Sequence, residues 1–255
     1  MRETLQERNA ELMTKSPCGG IYELREAIAG QDGVEPGCVT CGNGGADLLF
    51  RLAFGLKPKK VLLPVPAFVE YEEAMTAAGA EMVYEPMTEE MRIPEDVTER
   101  ITEDIDLMIL CNPNNPTGLL TGRQQVLDIL ERAKEMHCRV LVDECFLEIC
   151  REEEEYTVKP YLKQYPNLMI LKSFTKLYAI PGVRLGYLLC ADAEVIRKVN
   201  RAGQAWSVSH IAQCAGVAAL SHPEYKAAVI DAVEKELIYM KKEMADLPLT
   251  LYDGR

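Results

Sequence analysis

Four short stretches of this chain have nearly unbroken apolar cores: DLMILC at 106–111, RVLVDECF at 139–146, NLMILKSF at 167–174 and VRLGYLLC at 183–190. A strand that is apolar on one side-chain parity can face water. One that is apolar on both parities must be covered from both sides. The intervening segments can supply that cover. ELREAIAG reads as a helix ending at Gly30, GADLLFRLAFG as one with Gly55 near its end, and FVEYEEAMTAAG as one ending at Gly79. Thr121 with Gln124 forms a capping box. It opens a helix with Val126, Leu127, Leu130 and Ala133 on one face. Ser221 with Glu224 forms a second one, before a long helix striped by Val229, Val233, Leu237, Met240 and Met244. CVTC, VLLPVP and AEMVYEPM are shorter strands, and LTLY near the end is strand-like. Strands alternating with helices predict an α/β fold: a mostly parallel sheet sandwiched by helices. At 255 residues and 48% apolar the chain can bury such a core.

Charge and composition exclude several classes of function. A formal net charge of −12 argues against nucleic acid and against anionic membrane, since both need a basic surface. No run of 18 apolar residues exists to span a bilayer, and MRETLQERNAELMTK does not resemble a signal peptide. The nine cysteines include Cys111, Cys145 and Cys190 inside apolar runs, which predicts reduced, buried thiols in a cytoplasmic protein. Cys38 and Cys41 form a C-x-x-C, open to a metal or redox reading. The three histidines (His137, His210, His222) are scattered and offer no second ligand pair, so no metal is expected and a strand running into a glycine turn is the plainer reading. The acidic run Glu152–Glu155 reads as a solvated loop.

Ligands of parallel sheets gather at the carboxyl ends of the strands. Five strand ends here carry polar or aromatic groups. GNGGAD follows CVTC, Ala67-Phe68 follows VLLPVP, and NPNNPTG follows DLMILC. Asp143 ends RVLV, and Ser173-Phe174-Thr175-Lys176 ends NLMILK. GNGGAD alone is weak, and a turn without a ligand is its default reading. It matches neither the dinucleotide G-x-G-x-x-G nor a Walker A loop, and no acidic residue ends a second strand where a Rossmann fold needs one. Gly44, Gly45 and Ala46 nevertheless place free N–H groups at a helix start, where a phosphate dianion binds well. The hydroxyls of Ser173 and Thr175 and the forked guanidinium of Arg184 suit the same anion. With pyridoxal 5′-phosphate as the ligand, each remaining group also has a use. Lys176 offers a nucleophilic amine, Asp143 a partner for the ring nitrogen, Asn115 a donor for the phenolic oxygen, and Phe68 a stacking face.

Three motifs in order carry a family resemblance. SFTKLYAIPGVRLGY resembles the lysine signature of the class I/II aminotransferases, Ser-x-Ser/Thr-Lys followed by Gly-x-Arg-x-Gly. NPNNPTG resembles their Asn-Pro-x-Asn-Pro-Thr-Gly, and Asp143-Glu144-Cys145-Phe146 their Asp-Glu-Ala-Tyr/Phe. The likeness covers most of the chain. It implies the large domain of a pyridoxal-phosphate-dependent transferase over 18–221, preceded by an N-terminal segment at 1–17. A linker helix and the remnant of a small C-terminal domain would occupy 222–255. It implies Lys176 as covalent cofactor carrier and Asp143 on the ring nitrogen, these two being the catalytic pair. Asn115 falls to the phenolic oxygen, Phe68 to the ring face, and Ser173, Thr175 and Arg184 to the phosphate. It also implies a homodimer acting on a small-molecule amino acid.

Within the family the chain resembles the histidinol-phosphate aminotransferase branch. TKLYAIPGVRLGY and AWSVS are similar to the threonine-phosphate decarboxylases of cobalamin synthesis, and Phe146 agrees, since it lacks the hydroxyl that Tyr carries there in many aminotransferases. The carboxylate-binding Arg of the family's small domain has no counterpart before Arg255, and Ser16-Pro17-Cys18 stands where relatives have Tyr-Pro-Asp. The chain therefore reads as truncated at both ends, with a complete cofactor cradle and an incomplete substrate clamp. Decarboxylase, histidinol-phosphate-type aminotransferase and non-catalytic cofactor-binding remnant are the three functional expectations.

Overall fold

The computed structural model describes residues 6–14, 16–17 and 20–254; the domain boundary expected at Cys18 lies outside them. The chain runs α1 (Asn9–Thr14), α2 (Gly20–Asp32), β1 (Val39–Gly42), α3 (Gly45–Leu56), β2 (Lys60–Val65), α4 (Val69–Ala77), β3 (Glu81–Pro86) and β4 (Leu107–Cys111). It continues α5 (Arg123–Glu135), β5 (Arg139–Asp143), α6 (Glu153–Tyr156), β6 (Leu168–Ser173), α7 (Phe174–Leu177), β7 (Gly186–Cys190), α8 (Ala193–Ala202), α9 (His210–Leu220) and α10 (Pro223–Met244).

Among the described residues seven strands form one sheet in the order β1-β7-β6-β5-β4-β2-β3. Only β7 runs antiparallel to its neighbours, β1 and β6, so the sheet is mostly parallel, as the apolar runs predict. Side-chain parity sorts the core into two layers. Val140, Val142, Leu168 and Ile170 pack with Leu24 and Ile28 of α2 and with Val126 and Ile129 of α5. Leu141, Met169 and Leu171 point the other way, onto Leu48 and Leu52 of α3 and Tyr71 of α4. Among the described residues no helix is long and apolar enough to cross a membrane.

Several local expectations are corrected. α2 runs through Gly30 to Asp32, and Gly33, at φ +66°, makes the turn instead. Neither capping box forms. Thr121 is tied to Asn112 by its N–H on Oδ1 (2.9 Å) and by its carbonyl from Nδ2 (3.0 Å), so Gly122 becomes the N-cap of α5. Ser221 closes α9, its Oγ donating to the Val217 carbonyl, and α10 opens on Pro223, whose missing N–H suits a first helical position. On α5 the buried face is Val126, Ile129, Leu130 and Ala133, with Leu127 half-buried. On α10 no residue is buried: Val229, Val233, Leu237 and Met244 are half-buried and Met240 is exposed. LTLY is irregular, and Cys38 closes a short 3-10 turn before β1 rather than starting the strand. Burial pushes the Cys41 thiol up to about 12, which keeps it neutral. Cys145, expected buried, is half-buried. Glu153 is the largest departure: Glu152–Glu155 is not a solvated run, because Glu153 is buried against Lys172 and Lys226 and starts a helical turn.

Candidate active site

β1, β2, β4, β5 and β6 end on one side of the sheet, and their carboxyl ends open into a cavity of about 250 Å³. Gly45, Ala46, Phe68, Asn115, Asp143, Ser173, Thr175, Lys176 and Arg184 all line it. Gly44 sits at its edge as the N-cap of α3, at φ +88°. A Cβ added to Gly44 would stand 2.7 Å from Arg184 Nη2, so only glycine lets the guanidinium approach the start of α3 this closely. The structure thus brings together all ten residues singled out in the sequence.

Local chemistry fixes each group. Ser173 ends β6 and caps α7, its Oγ accepting from the Thr175 N–H at 3.2 Å and lying 2.7 Å from Thr175 Oγ1. The α7 turn then presents Lys176, whose Nζ lies 4.7 Å from the Phe146 ring centroid. Arg184 takes a left-handed conformation at φ +58° after the Pro181–Val183 turn. The Gly44 N–H, expected free, donates to the Gly42 carbonyl at 2.8 Å, so the free N–H groups of Gly45 and Ala46, the two hydroxyls and Arg184 form one anion-seeking corner.

Asp143 is buried. Its Oδ2 accepts from Tyr71 Oη at 2.7 Å and its Oδ1 from the Cys145 N–H at 2.9 Å. Burial raises its carboxyl above the usual range, outweighing those bonds and the charge of Lys176. A buried carboxylate with these partners favours a further N–H or a cation arriving from the cavity.

Tyr71 was not singled out from the sequence, although its spacing from Phe68 was a usable signal. The two stand one turn apart in the segment read as a helix, and their rings meet edge to face at 5.6 Å. Cys111, Cys145, Phe146 and Glu70 also line the cavity. The Oε2 of Glu70 is buried without a hydrogen-bond partner.

The model of the family described as aminotransferase class I and II matches residues 1–253. The chain belongs to that family. A threonine-phosphate decarboxylase from Salmonella typhimurium is 33% identical over 250 residues, covering 97% of this chain and 68% of the relative. Histidinol-phosphate aminotransferase 2 from Carboxydothermus hydrogenoformans is 31% identical over 237 residues, covering 92% and 65%. The chain thus spans about two thirds of the length of these curated relatives. The crystal structure of the histidinol-phosphate aminotransferase from Clostridium acetobutylicum superposes with a TM-score of 0.91 at 23% identity, covering 100% of this chain and 77% of that one, which shows the shared fold.

Class I and II aminotransferases depend on pyridoxal phosphate, and the residues present fit that group. The cavity has an anion corner at one end, a buried carboxylate seeking a proton donor at another, and an amine at its wall. A glycine of this site also gives a test. A Cβ on Gly186 would stand 3.0 Å from the backbone of Gly44, Gly45 and Lys172. Gly186→Ala is expected to destabilise the protein by about 1–3 kcal/mol by overpacking, and urea unfolding would measure it.

Proposed function

We propose that residues 18–221 form the cofactor-binding large domain of a pyridoxal-phosphate enzyme for small phosphorylated amino acids, with decarboxylation of threonine phosphate as the favoured reaction. The observation that carries the reading is the meeting of Lys176, Asp143 and the Arg184–Gly44 corner in one cavity. When bound, pyridoxal phosphate supplies an electron-poor ring that takes up the electron pair released at the substrate α-carbon.

The chain's own residues do the rest. Arg184, Ser173, Thr175 and the N-terminus of α3 at Gly44, Gly45 and Ala46 hold the phosphate. Asp143 holds the proton at the ring nitrogen, and Tyr71 steadies Asp143. Asn115 donates to the phenolic oxygen, and Phe68 covers one ring face. Lys176 Nζ carries the cofactor and moves the proton at the α-carbon. Phe146 brings no hydroxyl to this arrangement, and the relative with 33% identity bears the decarboxylase name. Similar identity to a histidinol-phosphate aminotransferase keeps transamination as the second reading. A cytoplasmic homodimer is part of the same proposal.

The full-length protein incubated with threonine phosphate is expected to release carbon dioxide. A keto acid formed with an amino acceptor, and no carbon dioxide, would favour transamination. Cofactor binding with neither product would leave a non-catalytic binder. Asp143→Asn is expected to keep the bound cofactor but lower turnover. Arg184→Ala is expected to weaken cofactor binding by about 1.5–3 kcal/mol, the range for a charge-assisted hydrogen bond. Titration of the cofactor's absorbance against each variant separates the two effects, and the opposite pattern would reverse the assigned roles.

A further inference from the structure

Directly behind the site, on the other face of the sheet, lies a buried charge cluster. Leu171 and Ser173 face the cavity, so Lys172 between them faces away. Asp143 faces the cavity, and Glu144 after it faces away, its N–H bonded to the Leu171 carbonyl at 2.9 Å. Lys172 and Glu144 thus stand side by side beneath the two strand ends that carry the chemistry.

Lys172 is fully buried, and its Nζ lies 3.4 Å from Glu153, 3.6 Å from Glu144 and 3.8 Å from Glu148. Glu144 also accepts from Thr157 Oγ1 at 2.8 Å and from the Val158 N–H at 2.9 Å, while Glu153 is paired with Lys226 of α10. One ammonium therefore gathers the chain from 144 to 158 around itself. Phe146 lies inside that segment, between two of the gathered carboxylates. Its ring lines the cavity and faces Lys176 Nζ.

We infer that Lys172 is a positioning residue for the site. By clamping the 144–158 segment it fixes Phe146 against Lys176, and so sets where the reactive amine stands. The inference rests on the reading of Lys176 as the cofactor-carrying amine. An ammonium over an aromatic face is held there by electrostatic attraction. A clamp that places the ring therefore places the amine. A cluster that served stability alone would leave the amine unaffected in any variant that still folds.

The test is the rate at which Lys176 of the cofactor-free protein is acetylated by acetic anhydride, read by peptide mass spectrometry. Phe146→Ala is expected to label about two- to fivefold faster at neutral pH, the equivalent of one such contact. Lys172→Met is expected to match it, and the double variant to label no faster than either single one. Lys172→Arg should label at the parent rate. Glu153→Gln removes the nearest carboxylate and leaves Lys172 two others. It is the milder variant and should also label faster.

Parent labelling rates in both Lys172→Met and Glu153→Gln would overturn the inference, as would effects of Lys172→Met and Phe146→Ala that multiply. If the parent protein captures no pyridoxal phosphate yet shows the expected labelling pattern, the positioning role stands and the cofactor reading of this chain fails. If it captures the cofactor and the pattern is absent, the positioning role alone is withdrawn.

Discussion

Lys176→Ala is expected to abolish covalent capture of pyridoxal phosphate while leaving the fold near parent stability. Lys176 is exposed, and no carboxylate among the described residues pairs with it in the structure. Its loss costs the fold one cation–π contact, about 0.5–1 kcal/mol at an exposed site, and the attraction of its charge for the Asp143 carboxylate, which burial already outweighs. Alanine also suits the short helical turn. The chemistry, in contrast, has no substitute. The nearest lysine in sequence is Lys172, and it is enclosed on the far face of the sheet by three carboxylates that hold it as an ammonium. It has neither access to the cavity nor a free electron pair to attack with. Borohydride reduction followed by peptide mass analysis checks the outcome. The parent should carry the adduct on the peptide containing Lys176, and the variant should carry none. An adduct that survives in Lys176→Ala would move the assignment to another lysine.

The readable part of this site had a common physical origin. Asp143, Asn115, Ser173 and Lys176 stand out because each interrupts or follows an apolar run, and strand ends are where a covered sheet can expose polar groups. Tyr71 did not stand out, since in a helix with acidic and apolar neighbours it looks like ordinary packing. Its spacing from Phe68 hints at the site, and the folded distance to Asp143 shows what its hydroxyl touches. The Lys172 cluster was hidden for a different reason. Its partner Glu153 is 19 residues away in a segment without period, so local charge pattern suggested solvent where the fold places a buried ammonium. Strand parity held a partial clue, because Lys172 must face opposite to Ser173. The capping boxes failed through competition: Thr121 had a better partner in Asn112, and Pro223 set the start of α10 one residue after His222. Such contests are decided by tertiary contacts that a short sequence window does not contain.

Lys172→Ala is expected to destabilise the protein by about 3–5 kcal/mol near neutral pH, as when one partner of a buried ion pair is removed. The loss should shrink as the solution is acidified. In the parent, burial alone would lower the Lys172 ammonium, but Glu148, Glu144 and Glu153 outweigh it and raise it, so the charge persists across the whole range. Burial raises Glu144 and Glu148 even beside Lys172. For Glu153, burial acts upward too, but Lys172 and Lys226 outweigh it and lower the group. The stability contributed by Glu153 is thus present above its unfolded value and lost as pH falls through its lower folded value. That of Glu144 and Glu148 is full below their unfolded values and lost as pH rises through their folded ones. Without Lys172 all three lose its attraction, and Glu153 keeps only that of Lys226 and Lys159. Glu144 and Glu148 should then bind a proton still more readily in the folded state than in the unfolded one, so the variant's stability must rise as pH falls toward the carboxylate range. The parent gains less, because protonating Glu153 removes a pairing that it uses. Urea unfolding of both proteins between neutral pH and about pH 5, near the ordinary Glu range, measures the gap directly. A gap that stays constant or widens on acidification would show that the three carboxylates are not held in place by Lys172.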